Sequence, residues 1–331
     1  MIEIISATAL ATVQDAGRSG SLGYGVGTSG AMDHLALAIG NLLLGNPEGA
    51  AAIEIPLFPF EVRFVQDCAF AVTGAAGEAT LDGQPLLPFW VLQAREGQVL
   101  SLGYPTSGSR VYLCLAGGVD VPPVLGSRST QLRGEFGGFE GRALQQGDRL
   151  VAARPGLSEG PVDFGVISPS QALALHCDGV PAMRVLPAAE YECFVEDSRN
   201  AFWTDDWKIT GQSNRYGYRL EGTPILPSAP MEIRSHGIVP GVIQVPHGGQ
   251  PIIQMRDAQP SGGYPKFGTV IEADLWRLGQ APVGSKVRFI QCSYPEALDA
   301  LDDNRRYLEQ VARLIDLHRM APRQGHCPHE Q

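Results

Sequence analysis

Apolar and polar residues alternate in short runs along most of this chain. Phe60, Val62 and Phe64 alternate in FEVRFV. Val111, Leu113 and Leu115 do so in RVYLCLAGG, and Val287 and Phe289 in SKVRFIQ. A period of two marks a strand whose side chains point alternately to two faces. Turn dipeptides separate such runs: Asp82-Gly83, Glu96-Gly97, Gly147-Asp148 and Glu221-Gly222. Short strands punctuated this way predict β-barrels or sandwiches rather than a parallel α/β sheet. Helical spacing occurs in two places. In SGAMDHLALAIGNLLLGNPE, Met32, Leu35, Ile39, Leu42 and Leu43 share a face, Ser29 or Gly30 can cap the start, and Gly45 and Pro47 stop it. In YPEALDALDDNRRYLEQVARLIDLHRM, Leu298, Leu301, Leu308, Val311 and Ile315 form one apolar stripe.

Two segments share a plan, a Gly-rich loop followed by a polar turn and an alternating strand: LQQGDRLVA (144–152) and APVGSKVRF (281–289). They predict two β-rich units joined by the Gly- and Pro-containing stretch 153–165. The expected organisation is a first domain over 1–155, a second over 165–292, and a C-terminal helix and tail over 293–331. A length of 331 residues suits two domains. The 40 glycines and 25 prolines are scattered, which fits many turns rather than disorder. A net charge of −10 repels phosphate backbones and argues against a nucleic-acid partner. No apolar run approaches a membrane span, and MIEIISATAL reads as a first strand, not a signal peptide. Six cysteines stand singly with no CxxC, as reduced residues of a cytoplasmic protein do.

Candidate chemistry is concentrated in loops. GVGTSG (25–30) matches G-x-G-x-x-G and opens a helix, but no strand leads into it and no βαβ alternation follows, so a dinucleotide site is set aside. A flexible loop with free helix N–H groups remains, together with Gln14, Asp15, Arg18, Ser29, Gly30 and Asp33 as possible anion contacts, or as an ordinary surface loop. The irregular stretch 115–144 carries Arg128, Arg133 and Arg142; these either hold a carboxylate or phosphate by their forks or pair with Asp120, Glu135 or Glu140. RDAQPSGGYPKFG (256–268) places Lys266 beside Gly262 and Gly263, where backbone can approach a ligand closely. Lysine is scarce, at Lys208, Lys266 and Lys286 only, which weighs against solubility as the reason for this one. His34, His236 and His247 read as structural histidines. His326, Cys327 and His329 form at most a weak tail cluster. No metal site is expected.

The quoted segments resemble a known family. TVQDAGRSGSLGYGVGTSGAMDHLALAIGNLLLGNPEGAAAIEI, the stretch LAGGVDVPPVLGSRSTQLRGEFGGFEGRALQQGD, SNRYGYRL and VPGVIQVPHGGQPIIQMRDAQPSGGYPK are similar in order to the biotin-dependent carboxyltransferase, or allophanate hydrolase subunit 2-like, family. The resemblance runs from about residue 8 to about residue 290. It implies a mainly β fold of two cyclophilin-like β-barrel domains, with a helix near the N-terminus and a C-terminal helix. Its stand-alone members include the C subunit of 5-oxoprolinase. They act in heteromers with a B-type protein (allophanate hydrolase subunit 1-like) and an A-type protein, opening the lactam of 5-oxo-L-proline at the expense of ATP. Other members are the carboxyltransferase half of urea carboxylase, or antagonists of a kinase-inhibiting homologue of the B-type protein. ATP is the implied cofactor, on this chain or a partner; no biotin attachment segment is present.

On this resemblance Lys266 and Arg215 would stabilise charge developing on a cyclic or urea-type carbonyl, with Asp257 orienting one of them. Gln244, Gln259, Ser261, Gly262, Gly263, Tyr264, Arg128 and Arg142 would hold the substrate. The chain departs from the family pattern at Pro260-Ser261 before Gly262, at Asn214 and Tyr216 around Arg215, and at His236, where an acidic residue is frequent.

Overall fold

A computed structural model describes residues 1–154, 156 and 162–320. His326, Cys327, His329 and part of the 153–165 stretch lie outside the described residues. Within them the protein is mainly β, as the alternation predicts.

Residues 2–165 supply a ten-strand sheet. Its central path runs Phe164–Gly165, Trp90–Ala94, Cys68–Leu81, Val99–Leu115, Phe60–Phe64, Ile2–Ser6 and Arg149–Leu150. Thr12–Gln14 joins through Ala52–Ile55, which pairs with Val99–Leu115. The two longest strands pair with each other through three register shifts, and these bend the sheet. Gly74 lies at one shift with φ 94°, and a Cβ there would meet the Arg110 carbonyl at 2.3 Å, so only glycine fits. One face packs Ile4, Ile53, Phe60, Phe64, Phe70, Leu100 and Leu113 into a core. On the other face Ala69, Ala71, Tyr112 and Cys114 lie against a helix. Burial on both faces is why all of Val111–Leu115 is covered.

Residues 176–291 supply an eight-strand sheet. The strands Val180–Pro187, Lys266–Val270, Val242–Gln244, Ile252–Gln254, Gly217–Glu221, Trp207–Ile209 and Lys286–Gln291 follow one another. The last pairs in parallel with the first, closing the ring into a barrel without free edges. Its interior holds Val185, Tyr218, Leu220, Ile243, Ile253, Phe267, Val287 and Phe289. Phe202 plugs it, with ring centroids 4.2 Å from Phe267 and 4.7 Å from Phe289.

The first helix spans His34–Leu44. Its cap is Asp33 rather than Ser29 or Gly30; the Asp33 carboxylate accepts from the Ala36 N–H at 2.9 Å. Ser29 and Gly30 are in left-handed conformations and pack on Gly17, where a Cβ on Gly30 would sit 2.9 Å from the Gly17 backbone. The C-terminal helix spans Tyr294–Met320, but its covered face is Ala297, Ala300, Asn304, Tyr307, Val311 and Ile315, leaving Leu298 and Leu301 exposed. Small residues let the helix approach the loop ahead of it, where Asn304 donates to the Ala273 carbonyl at 2.9 Å. No helix of the described residues is long and apolar enough to cross a membrane.

Candidate functional site

The outer face of the closed barrel carries one unusual row. Gly217–Glu221 pairs Arg219 with Ile252; the next strand pairs Ile252 with Gln244; the next pairs Gln244 with Lys266. Residues directly opposite on neighbouring strands point to one face, so Arg219, Ile252, Gln244 and Lys266 form a line across four strands. Alternation forces this, because Tyr218, Leu220, Ile243, Ile253 and Phe267 occupy the interior. Gln254 belongs to the same face and donates to the Gln244 carboxamide oxygen at 3.0 Å.

Over the Arg219, Ile252 and Gln244 part of this row lies a cavity of about 200 Å³, lined also by Gln212, Asn214, Tyr216, Gln254, Gln259 and Tyr264, with Gly217 and Ala258; Lys266 stands beyond Gln244, next to that lining. Five of those side chains are carboxamides, each offering a donor and an acceptor and no charge. Gln244 is 3% exposed, and its amide nitrogen has no hydrogen-bond partner among the described residues. That is a costly arrangement unless a ligand completes it. Gly262 makes room for it: a Cβ there would lie 2.3 Å from the Gln244 nitrogen.

Lys266 is 5% exposed, far from the solvated state usual for lysine. Its ammonium donates to the Gly262 carbonyl at 3.1 Å and lies 3.3 Å from His236 Nδ1. Those contacts leave one of its three N–H groups without a partner among the described residues. Burial lowers its pKa, with the negative charge of Glu190 opposing. A two-residue ribbon, His236–Gly237 paired with Ser261–Gly262, lies beside the ammonium. The remaining candidates of this loop, Ser261 and Gln259, are exposed, and Tyr264 is half-exposed with His247 edge-on to its ring.

Arg215 and Asp257 come together, but in the seam between the two sheets. The Arg215 fork takes both Asp257 oxygens at 2.8 and 3.0 Å, Glu54 at 2.6 Å and the Gly30 carbonyl at 2.7 Å. Glu54 also accepts from the Met32 N–H at 2.8 Å and the Tyr112 hydroxyl at 2.7 Å, with Arg110 at 3.7 Å. Arg110 in turn donates to the Tyr218 hydroxyl at 2.7 Å and to the Gly279 carbonyl. Burial opposes ionisation of Glu54, yet Arg215 and Arg110 outweigh it and hold its pKa below the ordinary value. Four of the five N–H groups of Arg215 are taken, by groups from both sheets' sides of the seam, so its charge ties the two together.

Asp33, at the same seam, accepts from Gln280 at 2.8 Å. Burial pushes its pKa up to about 6 against the hydrogen bonds from Ala36 and Gln280. Its folded pKa exceeds the unfolded value, so its contribution to stability is full below about pH 4 and is lost as pH rises through about 6. We expect the stability of wild type minus that of Asp33→Asn to fall between about pH 4 and 6 and to stay flat above. Urea unfolding over that range checks it.

The N-terminal loop is tied down rather than free. Asp15 accepts from Ser127 and Ser129 at 2.6 and 2.5 Å and from the Arg128 and Gly17 N–H groups. Arg18 donates to Ser129 O at 2.7 Å and stacks over Phe136. Gln14 donates to Thr130 O at 3.2 Å. Arg128 reaches Val121 O at 2.8 Å. Arg142 grips Asp148 with both nitrogens, at 2.7 and 2.9 Å, and also meets Glu140. None of these lines the carboxamide cavity. The loop meets that cavity's edge from behind: a Cβ on Gly27 would press on the Ala258 carbonyl at 2.8 Å, and Ser29 donates its N–H to Arg256 O.

A family model described as "Carboxyltransferase domain, subdomain A and B" matches residues 24–291. The chain belongs to this carboxyltransferase-domain family. It is 45% identical over 318 residues to the C subunit of 5-oxoprolinase from Escherichia coli K12, covering 94% of this chain and 98% of that one. It is 41% identical over 316 residues to the C subunit of 5-oxoprolinase from Haemophilus influenzae, covering 96% and 99%. Among solved structures, the urea amidolyase of K. lactis superposes with a TM-score of 0.85 at 30% identity, covering 94% of this chain and 20% of that one.

In this carboxyltransferase-domain protein several residues of consequence escape a reading of the sequence. Glu54 stands in AAIEI, an acid on a fully buried strand, and that position is itself the signal. Arg219 and Gln254 follow from alternation once Tyr218 and Ile253 are placed inside. Arg110, Tyr112 and Gln280 announce nothing, because their partners are remote in the chain. Among the described residues no group of three or more His, Cys, Asp and Glu side chains could hold a metal ion.

Proposed function

We propose that this chain is the C subunit of an ATP-dependent 5-oxoprolinase, acting with A-type and B-type partner proteins on a small lactam. The observation that carries the reading is the near full-length identity to two proteins that are each named as the C subunit of 5-oxoprolinase. The geometry supports it. A lactam presents one N–H and one C=O, and a pocket of carboxamides matches both without charge. The spare N–H of Lys266, on the strand beside Gln244, meets in this reading the negative charge growing on the lactam oxygen. In this reading the glycine pair and the ribbon beside Lys266 keep water from that ammonium. Arg215 and Asp257 then act through position, fixing the loop that carries Gln259. The sequence has no phosphate-binding loop of the P-loop type, so the reading assigns ATP to a partner or to a surface shared with one.

The test is reconstitution. The purified A-type and B-type proteins with this chain are expected to release glutamate from 5-oxo-L-proline in step with ATP hydrolysis, and omission of this chain to abolish it. Carboxyl transfer to urea is a second reading, favoured by the likeness to urea amidolyase. Carboxylated biotin carrier with urea, in place of ATP and lactam, separates the two.

A further inference from the structure

The row on the barrel face ends in a charged group at each side, Lys266 and Arg219. Arg219 is exposed, and its guanidinium makes no hydrogen bond or ion pair among the described residues. The strand bearing it holds it at the mouth of the carboxamide cavity, and it also lines the adjoining hollow of about 480 Å³ bounded by Thr210, Gln250 and Pro251. Neighbouring acids are engaged elsewhere: Glu221, two positions on, pairs with Lys208. At the other end of the row, Lys266 is three strands away, roughly 14 Å along the backbone at about 4.8 Å per strand. Arg219 lines the same cavity as Gln244 and Gln254, so one small molecule in it can reach all three. Between Arg219 and Lys266 lie Gln244, with its unpartnered buried nitrogen, and Gln254.

We propose that Arg219 is the specificity-determining residue that reads a carboxylate on the ligand, so that the cavity selects anionic cyclic amides over neutral ones. The inference rests on the lactam reading above. A planar guanidinium meets a carboxylate through two parallel N–H donors, whereas the carboxamides alone cannot tell an acid from its uncharged analogue. The ligand would lie along the row with its carboxylate at Arg219, its ring amide over Gln244 and Gln254, and its carbonyl toward Lys266.

The test uses the reconstituted three-protein enzyme and compares the KM for 5-oxo-L-proline with the inhibition constant of uncharged 2-pyrrolidinone. Arg219→Gln is expected to raise the KM about 10- to 100-fold with kcat nearly unchanged and no change in the 2-pyrrolidinone constant, the range expected for losing a hydrogen bond to a charged group. Arg219→Lys should recover part of the affinity. Because the side chain is exposed and unbonded, the variants retain the fold. An Arg219→Gln enzyme that still prefers 5-oxo-L-proline as wild type does overturns the inference alone. Glutamate release that proceeds without this chain overturns the lactam reading and the inference with it.

Discussion

Replacing Lys266 with methionine lowers kcat of the reconstituted 5-oxoprolinase by about 100- to 1,000-fold, the loss typical of one charge-stabilising donor. The argument is local. The ammonium is buried beside Gly262, has a spare N–H, and stands at the end of a row next to the buried carboxamide of Gln244. Methionine keeps the apolar stem and removes only the head. Burial already disfavours the charged form of Lys266. Its removal is therefore not expected to destabilise the barrel, and the urea midpoint should stay near that of wild type. A kcat loss with an unchanged midpoint supports a direct role in the reaction. An unchanged kcat removes Lys266 from the chemistry. A fall in both assigns it to packing.

Glu54→Gln is expected to cost about 3–5 kcal/mol of stability, the usual penalty for removing one partner from a buried ionic cluster. Four groups converge on that carboxylate: the Met32 N–H, the Tyr112 hydroxyl, Arg215 and Arg110. An amide in its place turns one acceptor into a donor facing donors and leaves Arg110 without its counter-charge. Arg215 keeps Asp257. The two sites should therefore be coupled: Arg215→Met in the Glu54→Gln background should cost less than it does alone, by about 1 kcal/mol or more. Urea unfolding of the four proteins in this cycle measures it. Additive losses would mean that the charges stabilise their own sheets separately.

Much of the fold was legible because alternation and turn chemistry are local. Phe60, Val62 and Phe64, and Val287 and Phe289, face inward as their spacing predicts. The C-terminal helix was legible in extent but not in orientation. Val311 and Ile315 of the expected stripe are buried, but the contact with the first helix and the Glu272–Asp274 turn uses Ala297, Ala300 and Tyr307 in place of Leu298 and Leu301, because small or planar side chains allow closer approach. Lys266 stood out through the rarity of lysine, and the structure places it in a buried position beside the glycine pair. Arg142 did not reveal that it serves Asp148, six residues on, because an arginine in a glycine-rich loop suits an ion pair and a ligand equally. Asp257 was legible only as a partner of Lys266 or Arg215, and the structure pairs it with Arg215; Glu54 was not legible, since 161 residues separate it from Arg215. Only the folded chain brings such distant groups together.

The Glu54–Arg215–Asp257 seam also bears on how this molecule can be divided. Each sheet has its own apolar core, yet the acid comes from one and the guanidinium from the other. Fragments made by severing the chain between the sheets would each bury a lone charge or expose the face meant to cover it. Neither should persist by itself, while the two expressed together should find one another through that mutual neutralisation. Substitutions at position 54 and position 215 would then be inherited as correlated changes rather than singly.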